Sequence, residues 1–452
     1  MDTEEKDTIE KVVLSDLCTG CGTCLSMCPT QAITLVKDGK RGLYIPKLEQ
    51  TKCNQCGICF EVCPGYSVDY KQLNRAVFGK EPEDILVGNY ANCYTGHATD
   101  YEIRYNSASG GLVTTLLVFA LEEGLIDGAL VTRMSDSNPL EPEVFIARTK
   151  EEIISASKSK YCPVPANIAL REILESEKNE RFAVVGLPCQ IQGIRKAEII
   201  NEKLKRKIVL CLGLFCGSNH SFLGTDFLLR QMRIEKEDVR RIDYRGGGWP
   251  GQMRFKLANG SVRSIPSSKG WDICGFNSNF LLTRCVFCSD GSSELADVSF
   301  GDAWKLPEVS EDKIGSSLVI SRTEVGEKIL HNALSKGKIE LDRINSDKVM
   351  QSQGRMLYRK KRDLGANVSI FRLLGKKVPL YNSELLKPKP TAYLNAISLY
   401  LQLRISSRRH LWGLVRTYIS LRPYILGIIL TCAGYCLSKV RGIHNFLKYK
   451  YR

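Results

Sequence analysis

The residues best placed to do chemistry are Cys18, Cys21, Cys24 and Cys28, followed by Pro29, and then Cys53, Cys56, Cys59 and Cys63, followed by Pro64. Each run reads CxxCxxCxxxCP, the ligand pattern for a pair of 4Fe-4S clusters. A cubane needs four thiolates around one small object, and a CxxCxxC turn supplies three from a single loop. The last Cys of each run serves the other cluster. That assigns Cys18, Cys21, Cys24 and Cys63 to one cluster and Cys53, Cys56, Cys59 and Cys28 to the second. Each proline turns the chain away and leaves one fewer amide in need of a partner. Zinc and disulfides are the competing uses of cysteine. Zinc sites pair two CxxC units across a spacer without this extra Cys. The start, MDTEEKDTIE, is acidic and polar and lacks the layout of a signal peptide, so a reduced, cytoplasmic protein is expected.

A second group of thiols lies further along. RFAVVGLPCQ puts Cys189 just past an apolar strand-like run, and KIVLCLGLFCG does the same for Cys216. Loops beyond the carboxyl ends of strands in an open α/β sheet share one crevice, so these two converge. With Cys285 and Cys288 of TRCVFCSD they make four candidate ligands for a third 4Fe-4S cluster. The alternative leaves Cys189 and Cys216 as small buried hydrophobes and the CxxC as a redox or zinc pair. Cys93, Cys162, Cys211 and Cys274 are weaker candidates, and Cys211 sits inside a strand-like run.

Glycine-rich segments accompany the thiols. In NSASGGLVTTLLVFALEEG, Ser107, Ser109, Gly110 and Gly111 open an apolar helix, where free amides and the helix dipole favour an anion such as a cofactor phosphate. Alone, that pattern is an N-cap. YRGGGWPG, Tyr244 to Gly251, would let backbone approach a flat ring, or would simply turn between two strands.

The elements that must hold these residues follow from length and periodicity. A chain of 452 residues, 43% hydrophobic, can fill more than one core, and length suggests about three domains. GALVTR from Gly128, RFAVVGL and KIVLCLGLF read as buried strands between amphipathic segments, giving an α/β domain over 86–345. An α+β cluster domain precedes it over 10–75, with FGKEPEDIL, Phe78 to Leu86, as the boundary. KPKP, Lys387 to Pro390, resists helix or strand and opens a basic, helical tail over 388–452.

Net charge is +15, and its location decides what it means. No Asp or Glu follows Glu384, while twelve Lys and Arg do, from Lys387 to Arg452. These cations interleave with AYLNAISLYLQL, LWGLVRTYISL and PYILGIILTCAGYCL, which argues against nucleic acid. Fifteen residues of helix reach roughly 22 Å, short of the ~30 Å hydrocarbon core. A helical tail lying on the cytoplasmic membrane face, or on a partner, is therefore expected, with packing on the protein's own body as the alternative.

SASGGLVT, SKYC, GLPCQ, GLFCG, YRGGGWPG, RCVFCSD and ADVSFGDAW occur in an order that resembles the beta subunit of coenzyme F420 hydrogenase and dehydrogenase. The preceding segment resembles a two-cluster ferredoxin domain, and the resemblance spans roughly residues 10 to 345. It implies an α/β flavoprotein domain that binds FAD and passes electrons between an F420-like hydride carrier, or an organic substrate, and 4Fe-4S clusters. Hydride donors give two electrons and clusters take one, so a flavin must stand between them. On this resemblance Ser109, Gly110, Gly111 and Lys160 contact FAD, and Gly247, Gly248 and Trp249 border the hydride-donor pocket. Cys162, which directly follows the SKY residues, departs from the family pattern and confuses the ligand count. The redox partner would be F420 or ferredoxin. A relay subunit without its own substrate, docked through its tail, is the competing function.

Overall fold

The computed structural model describes residues 7–382 and 385–421. Its first hairpin, Ile33–Asp38 (β1) and Leu43–Leu48 (β2), pairs Ile33 with Leu48 and Asp38 with Leu43. Two short helices, Thr23–Met27 (α1) and Ile58–Glu61 (α2), flank it, one in each cysteine run. Both start from a left-handed glycine, Gly22 at φ 89° and Gly57 at φ 79°, a conformation that costs other residues a Cβ clash. Ser67–Val68 (β3) closes the segment.

Eleven further strands precede residue 346: Asn92–Ala98 (β4), Gly128–Met134 (β5), Pro142–Ala147 (β6), Phe182–Gly186 (β7), Ile208–Leu214 (β8), Val239–Asp243 (β9), Gln252–Leu257 (β10), Val262–Pro266 (β11), Val298–Asp302 (β12), Ser317–Ser321 (β13) and Ile339–Ile344 (β14). Eight of them form one sheet in the order β14-β4-β13-β12-β8-β7-β5-β6. The sheet is mixed. Its centre, β12-β8-β7-β5, is parallel, and antiparallel pairs close both sides. Parallel strands covered on both faces carry unbroken apolar runs, which is why β5, β7 and β8 are legible as expected. β9, β10 and β11 make a separate antiparallel ribbon, and Tyr244–Gly251 is the loop between its first two strands.

Two helices cover opposite faces of the sheet. Leu112–Glu122 (α3) buries Leu112, Leu116 and Phe119 among Ala129, Leu212 and Val298. Pro188–Ile200 (α4) buries Ile191 and Ile194 against Phe182 and Val184. That second core also takes in Met27, Val62, Val68 and Leu73, so the cluster-bearing segment shares the sheet's interior.

Three C-terminal helices follow: Ser346–Lys361 (α5) packs Val349 and Leu357 on Val87, Leu318 and Ile320, while Leu364–Leu373 (α6) and Pro390–Ser406 (α7) lie over the N-terminal segment. Phe371 and Val368 pack with Ile9, Leu17, Cys59 and Phe287. Leu380–Tyr381 (β15) pairs in parallel with β3. Pro390 starts α7 as its first helical residue, where a missing amide costs nothing. Ala392 and Ala396 pack on Ala366, and Trp412 and Val415 join Phe227 and Phe280. The described tail therefore rests on the protein's own body. The run from Pro423 to Leu437 lies outside the described residues, and among those described no helix is long and apolar enough to cross a membrane.

Candidate redox site

The thiols fall into three sets by electrostatic proximity, and among the described residues no three of them converge on a point that a single metal ion would occupy. Cys18, Cys21, Cys24 and Cys63 lie within electrostatic reach of one another, and Cys59 lies in the same relation to Cys28, Cys53 and Cys56. A cavity lined by Cys28, Cys53, Cys56 and Cys59, with Pro29, Ile33 and Leu48, marks the second set. Cys189, the second residue of α4, sits among Cys216, Cys285 and Cys288. These are the groupings expected from spacing. Neighbouring sets also lie within reach of one another's charge: Cys24 of Cys59, and Cys189 of Cys21. The order is second set, first set, third set.

Each sulfur environment carries donors suited to a thiolate. Gly20 N donates to Cys18 Sγ at 3.3 Å, Ala32 N to Cys28 Sγ at 3.3 Å, Gln55 N to Cys53 Sγ at 3.4 Å and Gly65 N to Cys63 Sγ at 3.3 Å. In the third set Asn219 N donates to Cys285 Sγ at 3.3 Å, and Lys360 stands close enough to favour the anionic form of Cys285 and Cys216. Without iron, burial dominates: it pushes Cys63 up to about 11 and Cys216 up to about 12. Iron would reverse that balance, because a ligating thiol is deprotonated by the metal's own charge. Donors to cluster sulfurs also tune the reduction potential.

A buried clamp fixes the first set against the third. Asn167 N donates to Cys21 O at 2.9 Å, while Asn167 Nδ2 donates to Thr23 Oγ1 at 2.8 Å and to Gln190 O at 2.9 Å. Gly193 of α4 permits this approach, since a Cβ there would fall 2.4 Å from Thr23 Oγ1. Cys93, Cys162, Cys211 and Cys274 stay outside the three groups. Cys162 is fully buried beside Tyr244 and Lys160.

Beneath Cys288 lies a buried polar network. Asp290 accepts from the amides of Ser292 and Glu294, Gln192 Nε2 donates to Tyr70 Oη at 2.7 Å, and Glu294 pairs with Lys361 at 2.7 Å. Burial raises the Glu294 carboxyl to about 7, against the pull of Lys361. A carboxyl raised in the folded state gives stability that is complete below about 4.5 and is lost as pH climbs through about 7. The loss is on the order of 3 kcal/mol. Glu294→Gln is expected to abolish that fall, which thermal unfolding under anaerobic conditions from pH 5 to pH 8 will check; an unchanged slope removes Glu294 from the account.

The glycine-rich segments meet at the carboxyl end of β12. Arg245 is buried and places its guanidinium on Asp302, at 2.9 Å to Oδ1 and 3.2 Å to Oδ2, with Ala108 O as a further acceptor. Asp302 holds that cation strongly in its charged form, against the cost of burial. Trp249 Nε1 donates to the same Asp302 Oδ1 at 2.9 Å, and its ring lies 4.5 Å from that of Trp304. Gly247 and Gly248, both left-handed, donate their amides to Tyr105 O at 3.1 and 2.9 Å. Ser109 Oγ donates to Ser316 O at 2.8 Å and Gly110 N to Ser317 Oγ at 3.0 Å. A Cβ on Gly110 would fall 2.5 Å from Gly96 O, so close packing already accounts for that glycine. Gly111, at φ 77°, is the N-cap of α3.

Lys160 stands apart from this group in its bonding. Its ammonium donates to Ala156 O at 2.5 Å, Ser157 O at 2.8 Å and Lys158 O at 3.0 Å, and burial lowers it to about 7. All three of its donors are spent on the end of the preceding helix. Arg245, Asp302 and Trp304 are the site residues that spacing did not single out, although all three lie inside quoted motifs.

Comparison with known proteins follows the same map. Residues 93–171 and 179–347 match the N-terminal and C-terminal segments of the coenzyme F420 hydrogenase/dehydrogenase beta subunit, and residues 17–66 match a 4Fe-4S dicluster domain. The coenzyme F420 hydrogenase subunit beta of Methanosarcina barkeri is 31% identical over 262 residues, 57% of this chain and 84% of that protein. A subunit of the F420H2 dehydrogenase of Methanosarcina mazei is 29% identical over 335 residues, 71% of this chain and 83% of its own. A chain in the solved F420-reducing [NiFe] hydrogenase complex of Methanosarcina barkeri superposes with a TM-score of 0.52 at 27% identity, covering 66% of this chain and 98% of that one. Thiol groups, motif order and alignment agree, and the chain belongs to the family of coenzyme F420 hydrogenase/dehydrogenase beta subunits, which are oxidoreductase components, with a 4Fe-4S dicluster domain ahead of the family's two segments.

Proposed function

We propose that this protein moves electrons between a hydride carrier of the F420 type, or an organic substrate, and three 4Fe-4S clusters, through FAD held beside the third. The observation that carries the reading is the position of Cys189, within electrostatic reach both of Cys216, Cys285 and Cys288 and of Cys21. Clusters on those thiols would stand next to one another. FAD would supply the exchange of a hydride for single electrons. The residues near Asp302 suit such a group: Arg245 Nε is buried with no hydrogen-bond partner among the described residues, and a Cβ on Gly247 would meet nothing nearer than Arg254 Nη1 at 3.9 Å. Arg245 would hold a polar edge or phosphate, Asp302 would keep Arg245 and Trp249 in place, and Gly247, Gly248 and Trp249 would border the donor pocket. Ser109 and Gly111 would line the other wall. Lys160 would act through the backbone it caps rather than through a direct contact.

Iron and flavin content of the anaerobically purified protein tests this. About twelve irons and one FAD per chain are expected, at four irons per cubane. About eight irons without flavin would overturn the reading in favour of a relay subunit that has no substrate of its own. Two relatives are named as components of larger enzymes, one of a hydrogenase and one of a dehydrogenase, and that favours keeping the second reading. In it the tail would dock the chain to a membrane or a catalytic partner.

A further inference from the structure

The C-terminal helices expose apolar side chains that nothing among the described residues covers. α7 is apolar nearly all round, a pattern that ordinarily belongs to a helix buried on every side. Its inner face, with Ala392 and Ala396, is packed. Its opposite face carries Leu394, Ile397 and Leu401 at helical spacing, exposed to 70%, 41% and 53%. Helical residues 412–421 repeat the arrangement. Trp412 and Val415 face inward, while Leu414, Tyr418 and Leu421 face out, Leu414 at 58%.

The charge around these stripes has one sign. Lys387, Lys389, Arg404, Arg408 and Arg416 are exposed, and no ion pair among the described residues engages them; Arg409 alone is held, by Asp226. From residue 385 to the end of the chain there is no Asp or Glu. Protein interfaces are depleted in charge at their cores and mix signs at their rims. A surface of outward leucines framed only by cations is instead the chemistry of a helix lying in the headgroup layer of an anionic bilayer. Half-exposed Tyr393 and Tyr418, each 38% exposed, suit that depth.

We propose that the outward faces of α7 and residues 412–421 seat this protein on an anionic lipid surface. This deepens the reading of the tail as a docking element and is independent of the electron-transfer reading. The test is flotation of the full-length, anaerobically purified protein with phosphatidylcholine vesicles, with and without about one-third phosphatidylglycerol. Flotation is expected with the anionic vesicles only, and should be lost at about 0.5 M salt, where the Debye length is short. Leu394→Gln with Leu401→Gln is expected to weaken binding by about tenfold or more, and Arg404→Glu with Arg408→Glu likewise, with iron content unchanged in both as the check on folding. No flotation of the wild type, equal flotation of the variants, or recovery of a stoichiometric protein partner in place of vesicle binding would each overturn the proposal. None of these results would alter the iron and flavin content on which the electron-transfer reading depends.

Discussion

Replacing Cys285 with Ser is expected to lower the iron content from about twelve to about eight atoms per chain, the loss of one cubane. The substitution changes one atom, but a hydroxyl is a poor iron ligand. Cys285 is the informative member of its set. Its sulfur accepts from Asn219 N, its carbonyl lies 3.4 Å from Lys360 Nζ, and it serves the CxxC turn of residues 283–287. The eight cysteines before residue 64 are untouched, so their clusters should remain reducible by dithionite. The hydride donor should then still reduce the flavin while the remaining clusters stay oxidised. Iron assay with electron paramagnetic resonance reads both halves of this expectation. Unchanged iron would remove the third cluster from the account.

The second large effect is expected at Asp302→Ala. Arg245 is about 5% exposed, and its buried cation would lose its only carboxylate. Removing one partner of a buried ion pair typically costs about 3–5 kcal/mol, chiefly through the stranded charge. The same change frees Trp249 Nε1, so the YRGGGWPG loop loses its tie to β12. Flavin should be lost on purification and the unfolding temperature should fall. Asp302→Asn, which keeps an acceptor and removes the charge, should fall between wild type and Asp302→Ala. Full flavin retention at unchanged stability in Asp302→Ala would separate this network from the cofactor.

Much of this was legible before any coordinates. The eight N-terminal cysteines declare their grouping because ligand spacing is a local property. Cys189 and Cys216 declare theirs because each ends an apolar run, and parallel central strands deliver their following loops to one edge. The sheet's outer strands were not legible. Ile339–Ile344 alternates weakly and pairs with a strand some 240 residues earlier, information that no local window contains. Lys160 shows what a motif cannot carry: the family resemblance implies a contact with FAD, and the turn after the helix Lys150–Ser155 brings three carbonyls to its ammonium. The tail's composition is that of an interfacial helix on every side, and only packing reveals which side the body takes.

The pairing of β3 with β15 bears on how this protein is made. Ser67 and Val68 emerge from the ribosome early, but their strand partners, Leu380 and Tyr381, are more than three hundred residues away. At typical elongation rates of about 5–20 residues per second, that interval lasts on the order of tens of seconds. Throughout it the iron-sulfur segment lacks its closing strand and the cover of Val368 and Phe371. Cluster insertion thus has a window during synthesis in which the thiols are reachable, and the segment that carries β15 shuts it.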